Sequence, residues 1–330
     1  MTNNAPSSRS AESAAPDVII VGPLRAGTTL LRLMLNNHPQ IAVVGEFEES
    51  VAMLDDSGFP SAPDYRAWLA QHRTAVSRNY QSLETLDNYP QIARSLWSQL
   101  ARSELPSDST KSVVGCTIHS RFDRAHELWP NAKLIHITRD PRDVSNSCIG
   151  MGWVGHAVKG VQHWIEPTKR WTQLENQLDD SQHIQIRYED LLADPESTLT
   201  KCCELFDLSY DERMLDFHES STYQKLDPKL AEQWKRKMNP RTAEIIDSIC
   251  LDQMSELGYE TSVPTPKPAS SLESITINLQ DRIGRFRWRI RKYGLPLVLQ
   301  WSFAKRLPIT NSFRMRVRKQ INEINLSNLR

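Results

Sequence analysis

The 330-residue chain lacks the features that mark several large protein classes. Its five cysteines are odd in number, and their spacing fits neither a zinc site nor a disulfide framework, which favours a reducing compartment. No apolar run approaches the roughly 20 residues that cross a bilayer. No basic start with a following apolar stretch marks a secretory signal. We therefore expect a cytoplasmic protein, although a peripheral position on the inner membrane surface stays open.

Net charge is also absent, because 40 Lys and Arg balance 40 Asp and Glu. The balance is uneven along the chain. Residues 281–330 hold 13 basic and 2 acidic side chains, a local charge of +11, which leaves 27 basic and 38 acidic side chains, or −11, elsewhere. Such a segment is typical of docking on an acidic body, an anionic membrane contact or an oligomer contact. No nucleic-acid-binding motif accompanies it, so nucleic acid is not an expected partner.

Apolar residues make up 39 % of the chain, a fraction typical of globular proteins. Their spacing predicts short strands that alternate with helices. Alternating strands and helices predict a three-layer α/β/α fold with a mostly parallel central sheet. The predicted strands are 17–22, 41–44, 112–118, 133–138 and 183–188. The predicted helices include 28–39, 120–129, 141–150, 158–179, 195–206 and 240–257.

Composition also divides the chain into segments. The Ser- and Ala-rich residues 1–16 are predicted to form a flexible tail before a catalytic domain at 17–260. Residues 50–112 interrupt the α/β pattern, which is typical of a lid or acceptor wall. A Pro- and Ser-rich linker at 261–273 precedes a basic segment at 274–330 that we expect to be helical.

The segment Gly22-Pro-Leu-Arg-Ala-Gly-Thr-Thr29 has the spacing of a phosphate loop between a strand and a helix. Backbone N–H groups and the helix dipole favour an anion there. The Lys of nucleoside triphosphatases is replaced by Thr28, which disfavours kinase or ATPase chemistry, while Arg25 supplies a cation inside the loop. An ordinary turn with a surface arginine is the alternative for this segment alone.

A second segment, Arg139-Asp-Pro-Arg-Asp-Val144, lies where a predicted strand ends and a helix begins. Open α/β sheets bind ligands at this edge. Arg139 and Ser147, eight residues later, suit a second phosphate, so the pair of segments favours a ligand with two separate anionic ends. The alternative is that Arg139 pairs with Asp140 or Asp143 at the helix start.

Together these segments resemble the sulfotransferases that use 3′-phosphoadenosine 5′-phosphosulfate (PAPS). Arg25-Ala-Gly-Thr-Thr29 is similar to their 5′-phosphosulfate loop, and Arg139 with Ser147 is similar to their 3′-phosphate site. Arg187-Tyr-Glu-Asp-Leu-Leu-Ala-Asp-Pro195 resembles a strand-end segment that is common in this family. Asn36-Asn-His-Pro39 followed by Glu46 is similar to bacterial and tyrosylprotein-type members. The resemblance is thus to bacterial-type members related to tyrosylprotein and carbohydrate sulfotransferases. The likeness spans about residues 17–260 and implies a fold like that of phosphate-loop nucleoside triphosphatases.

The resemblance implies transfer of a sulfuryl group from PAPS to an acceptor hydroxyl or amine, with 3′-phosphoadenosine 5′-phosphate (PAP) as product and no metal. The implied binding set for the nucleotide is Arg25, Ala26, Gly27, Thr28, Thr29, Arg139 and Ser147. A lid containing Tyr223 and Lys225 is implied as well, against the alternative of a polar connecting loop. The acceptor stays open among carbohydrates, lipid-linked sugars, tyrosine peptides and small alcohols.

For catalysis the resemblance implies Glu46 as general base, with Glu48 and Glu49 close by; an exposed acidic turn is the alternative. Many relatives carry Lys-Thr-Pro where this chain has Cys116-Thr-Ile118. His119 can replace that lysine or be purely structural, and Cys116 is expected to be buried.

Two other functions of the protein remain as alternatives: phosphoryl transfer, and PAP or PAPS binding without catalysis.

Overall fold

The computed structural model describes residues 15–106, 109–306 and 311–327, so most of the predicted tail lies outside the described residues. Within them, five strands form one sheet in the order β2-β3-β1-β4-β5, and every neighbouring pair is parallel. The strands are β1 Val18–Val21, β2 Ile41–Glu46, β3 Val113–Ile118, β4 Lys133–Thr138 and β5 His183–Arg187. The five predicted strands and the parallel sheet are thereby confirmed.

Helices cover both faces of this sheet, as the three-layer prediction requires. From the N-terminal side they are α1 Thr28–Asn36, α2 Ala62–Leu69, α3 Arg73–Arg78, α4 Tyr89–Glu104, α5 Phe122–Leu128, α6 Pro141–Gly150, α7 Ala157–Gly160, α8 Gln162–Glu175, α9 Tyr188–Ala193, α10 Pro195–Glu204, α11 Trp234–Lys237, α12 Pro240–Ile249 and α13 Leu251–Glu256. Three more follow: α14 Ser271–Tyr293, α15 Leu295–Arg306 and α16 Asn311–Ser327.

The central strand β1 is buried on both sides, which explains its uninterrupted apolar sequence. Val18 and Ile20 belong to the core that packs against α1, α9 and α10. Ile19 and Val21 belong to the opposite core, with residues of α4, α5 and α8. The sheet is thus held rigidly between two hydrophobic layers, and the loops at its carboxyl edge are attached to a fixed frame.

Two predicted helices are divided in the structure. The helix expected at 158–179 is broken at Val161 into α7 and α8, because Gly160 packs directly on α6: a Cβ there would lie 2.6 Å from the Ser145 carbonyl oxygen. The helix expected at 240–257 is broken at Cys250 into α12 and α13. The first break depends on a contact between segments that are distant in the sequence.

Residues 50–112 contribute helices and no strand of the sheet among their described part. Their aromatic side chains bond to the chain that follows β2. Tyr65 donates its hydroxyl to the Glu49 carbonyl oxygen and Tyr89 to that of Ser50, each at 2.7 Å, and the two rings stack 3.9 Å apart. The inserted helices therefore support the segment immediately after Glu46.

The basic C-terminal segment is helical in its described residues, as predicted. Helix α14 begins with a capping box at Ser270 and packs on the turn after α6. There the Asp281 carboxylate accepts the Gly155 N–H at 2.7 Å, and the Trp288 indole donates to the Gly150 carbonyl at 2.9 Å. Among the described residues, no helix has the length and apolar content of a membrane span. The proposed domain boundaries stay predictions.

Candidate functional site

The loop between β1 and α1 is shaped by two glycines at its ends. A Cβ at Gly22 would overlap the Ile137 carbonyl oxygen, and one at Gly27 would overlap the Tyr188 ring. Gly27 also has a φ of 104°, a conformation that favours glycine. It is the N-cap of α1 and provides no capping side chain, so the first-turn N–H groups of Thr28 and Thr29 are left for an anion.

Arg25 joins this loop to helix α6. Its backbone is left-handed, with a φ of 73°, and its Nε donates a hydrogen bond to Ser147 Oγ at 3.0 Å. Arg139, at the carboxyl end of β4, donates from Nη1 to the Arg25 carbonyl oxygen at 3.5 Å. The structure thus brings together the two segments that the sequence singles out, although they are more than 100 residues apart.

A pocket of about 230 Å³ opens beside these residues. The predicted nucleotide-binding residues on its wall are Arg25, Gly27, Thr28, Thr29, Arg139, Tyr223 and Lys225. Ala26 is buried behind the loop, where its N–H donates to Pro23, and Ser147 reaches the pocket only through Arg25. The buried Nε of Arg139 has no hydrogen-bond partner among the described residues, which leaves a donor for an anionic ligand.

Arg139 also anchors the segment that carries Tyr223 and Lys225. Its Nη2 donates to the Leu230 carbonyl at 2.9 Å and lies 3.3 Å from the Asp143 carboxylate. The same carboxylate accepts the Trp234 N–H at 2.8 Å. Burial raises the pKa of Asp143 despite the nearby guanidinium. Arg139 therefore does pair with Asp143, the alternative that the sequence offers for this segment. The bond from Asp143 to the backbone at Trp234 has no signal in the sequence.

The Arg-Tyr-Glu segment after β5 supports the pocket from below. The Tyr188 ring lies against Gly27 and under the Arg139 guanidinium, which is 4.4 Å from the ring centre. Glu189 accepts the Asp140 N–H at 3.0 Å, and Asp140 in turn caps helix α6. Tyr188 is therefore a functional-site residue that the sequence marks only as part of a motif.

A second cluster lies at the carboxyl ends of β2 and β3. Glu46 Oε1 is 3.7 Å from Nε2 of His119, and the Glu46 side chain is 62 % exposed whereas His119 is buried. The adjacent His119 imidazole lowers the pKa of Glu46. Burial lowers the pKa of His119, but the nearby carboxylates of Glu46 and Glu48 outweigh this and raise it overall.

The tautomer of His119 follows from its other nitrogen. Nδ1 lies 3.1 Å from the Gly22 carbonyl oxygen, which can only accept, so Nδ1 carries a proton. Nε2 is therefore the atom that gains or loses a proton beside Glu46. The contact also ties His119 to the first residue of the phosphate loop.

The neighbouring carboxylates are already engaged. Glu48 accepts hydrogen bonds from the His119 and Ser120 backbone and caps the turn after β3. Glu49 is 1 % exposed and pairs with Arg78. The expectation of an exposed acidic turn is therefore wrong for Glu49. Cys116 is buried as predicted, and burial raises the pKa of its thiol well above the usual range.

Arg78, from the inserted helix α3, has no signal in the sequence. Its Nη1 pairs with the Glu49 carboxylate, and its Nη2 donates to the Glu46 carbonyl oxygen at 2.7 Å. Tyr80 donates to the same Glu49 carboxylate at 2.8 Å. This network fixes the backbone on which Glu46 stands, and only the folded insertion can supply it.

The pocket beside Arg25 and Arg139 and the carboxylate cluster around Glu46 can be compared with known proteins. Residues 16–212, more than half of the chain, match the model of the "Sulfotransferase family". The chain belongs to the sulfotransferase family. A putative protein-tyrosine sulfotransferase of Caenorhabditis briggsae is 26 % identical over 274 residues, covering 76 % of this chain and 91 % of that protein.

Solved structures agree with this sulfotransferase in fold. The sulfotransferase domain of the Synechococcus PCC 7002 olefin synthase superposes with a TM-score of 0.55 at 18 % identity, covering 79 % of this chain and 99 % of that one. The sulfotransferase domain of the curacin biosynthetic pathway gives a TM-score of 0.52 at 18 % identity, covering 75 % and 99 %. The predicted family and fold class are confirmed; the individual site residues stay predictions.

Proposed function

We propose that this sulfotransferase moves a sulfuryl group from PAPS to an acceptor hydroxyl or amine by in-line displacement. The observation that carries the proposal is one pocket with two cationic anchors, Arg25 and Arg139, beside unpaired helix-start amides. The Glu46–His119 pair is attached to the same loop through Gly22. The residues that would bind a donor with two anionic ends and the residue that would accept a proton therefore lie at the same edge of the sheet.

Each anchor has a separate task in the proposal. Arg25 and the amides of Gly27, Thr28 and Thr29 hold the 5′-phosphosulfate and stabilise charge on the leaving phosphate oxygen. Arg139 holds the 3′-phosphate, and Ser147 contributes to this site through its hydrogen bond with Arg25. Tyr223 and Lys225, on the wall of the pocket, close over the nucleotide.

Glu46 acts as the general base. The acceptor O–H or N–H proton passes to its carboxylate as the bond to sulfur forms, while the bond from sulfur to the phosphate oxygen breaks. A lowered pKa keeps Glu46 ionised and ready at neutral pH. His119 supplies the positive charge that a lysine at position 116 provides in many relatives. We further propose that the reaction needs no metal.

The acceptor class follows from the comparisons only in outline. Because a relative is named as a putative protein-tyrosine sulfotransferase, tyrosine peptides are tested first, followed by carbohydrates, lipids and small alcohols. The five buried free thiols support a cytoplasmic location. A peripheral membrane contact is proposed for the basic C-terminal helices, with a contact to a second copy as the alternative.

The experiment is calorimetric titration with PAP, AMP and Mg·ATP, on the wild type, Arg139→Ala and the exposed control Arg102→Ala. We expect PAP to bind without metal, at least about tenfold more tightly than AMP, and the difference to disappear only in Arg139→Ala. Preference for Mg·ATP would instead support phosphoryl transfer. PAP binding without transfer of labelled sulfate to any acceptor would support a non-catalytic binding protein.

A further inference from the structure

Helix α14 has an apolar stripe that no described part of the chain covers. Its members are between 41 % and 77 % exposed: Leu272, Ile275, Leu279, Ile283 and Phe286. Steps of three and four residues place all five on one side of the helix. The residues that hold α14 to the body, including Asp281, Gly284 and Trp288, lie on the opposite side. Docking on its own body therefore does not explain the stripe.

The apolar surface continues onto α15. Leu295, Leu299 and Phe303 follow each other at steps of four and are 47 %, 43 % and 55 % exposed. Between the two helices runs a groove of about 480 Å³. The groove is lined by apolar Phe286, Leu299 and Phe303 and by the guanidinium groups of Arg282, Arg285 and Arg289.

The charges around this groove are only partly neutralised. Arg285 pairs with Asp281 at 2.6 Å, whereas Arg282 and Arg289 have no ion-pair partner in the described part of the chain. Arginine extends its aliphatic stem along apolar surface and keeps its charge at the polar boundary. Aliphatic side chains bordered by unpaired arginines are the pattern of a helix that lies in a membrane interface.

We propose that α14 and α15 form a docking surface for an anionic lipid bilayer. The stripe and the groove enter the acyl boundary, and Arg282 and Arg289 contact lipid phosphates. A second copy of the chain fits this face less well, because a symmetric contact would bring two segments of charge +11 together. An anionic surface satisfies both the apolar stripe and the positive charge.

The test is cosedimentation of the full chain with vesicles of phosphatidylcholine alone or of phosphatidylcholine and phosphatidylglycerol in equal parts. We expect binding only to the anionic vesicles, weakened by salt because the charge contribution is screened. Leu279→Gln and the double variant Arg282→Gln/Arg289→Gln should each weaken binding by about tenfold. Leu251→Gln, at a leucine on α13 that is 43 % exposed against 57 % for Leu279, is the control and should bind as the wild type does.

Equal binding to both vesicle types, or to neither, would overturn the proposal. So would a lipid-free dimer in light scattering that Leu279→Gln dissociates, since the face would then belong to a second copy. Thermal unfolding of each variant, matched to that of the wild type, assigns a loss of binding to the surface. PAP titration of the same samples reports on the donor pocket separately, so failure of the donor assignment is distinguishable.

Discussion

The proposed donor pocket, beside Arg25 and Arg139, and the carboxylate cluster around Glu46 occupy the same edge of the sheet but are built differently. The donor pocket relies on backbone amides at the start of α1 and on arginines at strand ends. The carboxylate cluster relies on side chains, and its key backbone is held by Arg78 from a remote helix. An anion site made of backbone is sensitive to local conformation, whereas a braced carboxylate is sensitive to changes far along the chain.

The largest expected effect is that of Glu46→Gln, which should lower the transfer rate without changing nucleotide binding. Glu46→Gln removes the proposed base but not its shape, so kcat should fall by roughly a hundred- to ten-thousand-fold. PAP affinity should stay unchanged, because Glu46 does not line the nucleotide pocket. Labelled-sulfate transfer and PAP calorimetry measure the two quantities, with exposed Glu104→Gln as control. A transfer rate equal to that of the wild type would remove Glu46 from its role.

The second-largest effect is expected at Arg78, which pairs with Glu49 and holds the Glu46 backbone. Arg78→Met leaves the buried Glu49 carboxylate without its cation, which should cost about 3–5 kcal/mol in the free energy of unfolding. We also expect slower transfer with unchanged PAP affinity, because the Glu46 carbonyl loses its hydrogen bond. Urea unfolding measures the first effect, and Arg102→Met serves as control. Wild-type stability in Arg78→Met would show that α3 does not hold this cluster.

The donor side is tested by a backbone change. Gly27→Ala forces a side chain into a left-handed position against the Tyr188 ring, which should cost about 1–3 kcal/mol and weaken PAP binding. Gly150→Ala is the matched control, since no atom outside the neighbouring backbone of its own helix lies within 4 Å of the added carbon. If both variants bind PAP equally well, the loop is not shaped by Gly27.

The smallest effect is the pH dependence of the Glu46–His119 pair. Because the pKa of His119 is raised, the pair stabilises the folded protein fully at pH values below the ordinary histidine pKa of 6.5. This stabilisation is lost as the pH rises through the pKa of His119 in the folded protein. Because the pKa of Glu46 is lowered, the stability that this carboxylate contributes is fully present above its ordinary pKa of 4.5. That stability is lost as the pH falls through the pKa of Glu46 in the folded protein. The exposed carboxylate limits the gain to about 1 kcal/mol or less.

Unfolding measured across pH on the wild type and Glu46→Gln checks this pair. The stability difference between them should be largest from pH 4.5 to 6.5 and should shrink on either side. A difference that keeps growing above neutral pH would contradict the raised pKa of His119.

The sequence predicts that Arg25 and Arg139 lie at the same edge of the sheet, because each follows a strand and precedes a helix. Their joint use for one nucleotide is implied only by the family resemblance. The five strands are visible from local pattern alone. The division of the helix at Val161 is not visible, since it follows from Gly160 packing on α6. Nor is the bracing by Arg78, which depends on how α3 packs after the chain has folded.

The turn after α6 has a further consequence through two glycines that meet there. A Cβ at Gly155 would lie 2.8 Å from the Gly284 Cα, and one at Gly284 would lie 2.6 Å from the Gly155 Cα. A side chain at either position would therefore push α14 away from the body. The lack of side chains at Gly155 and Gly284 thus sets how closely α14 packs on the body. If α14 binds a surface, this packing also sets how the proposed catalytic edge of the sheet is oriented toward that surface.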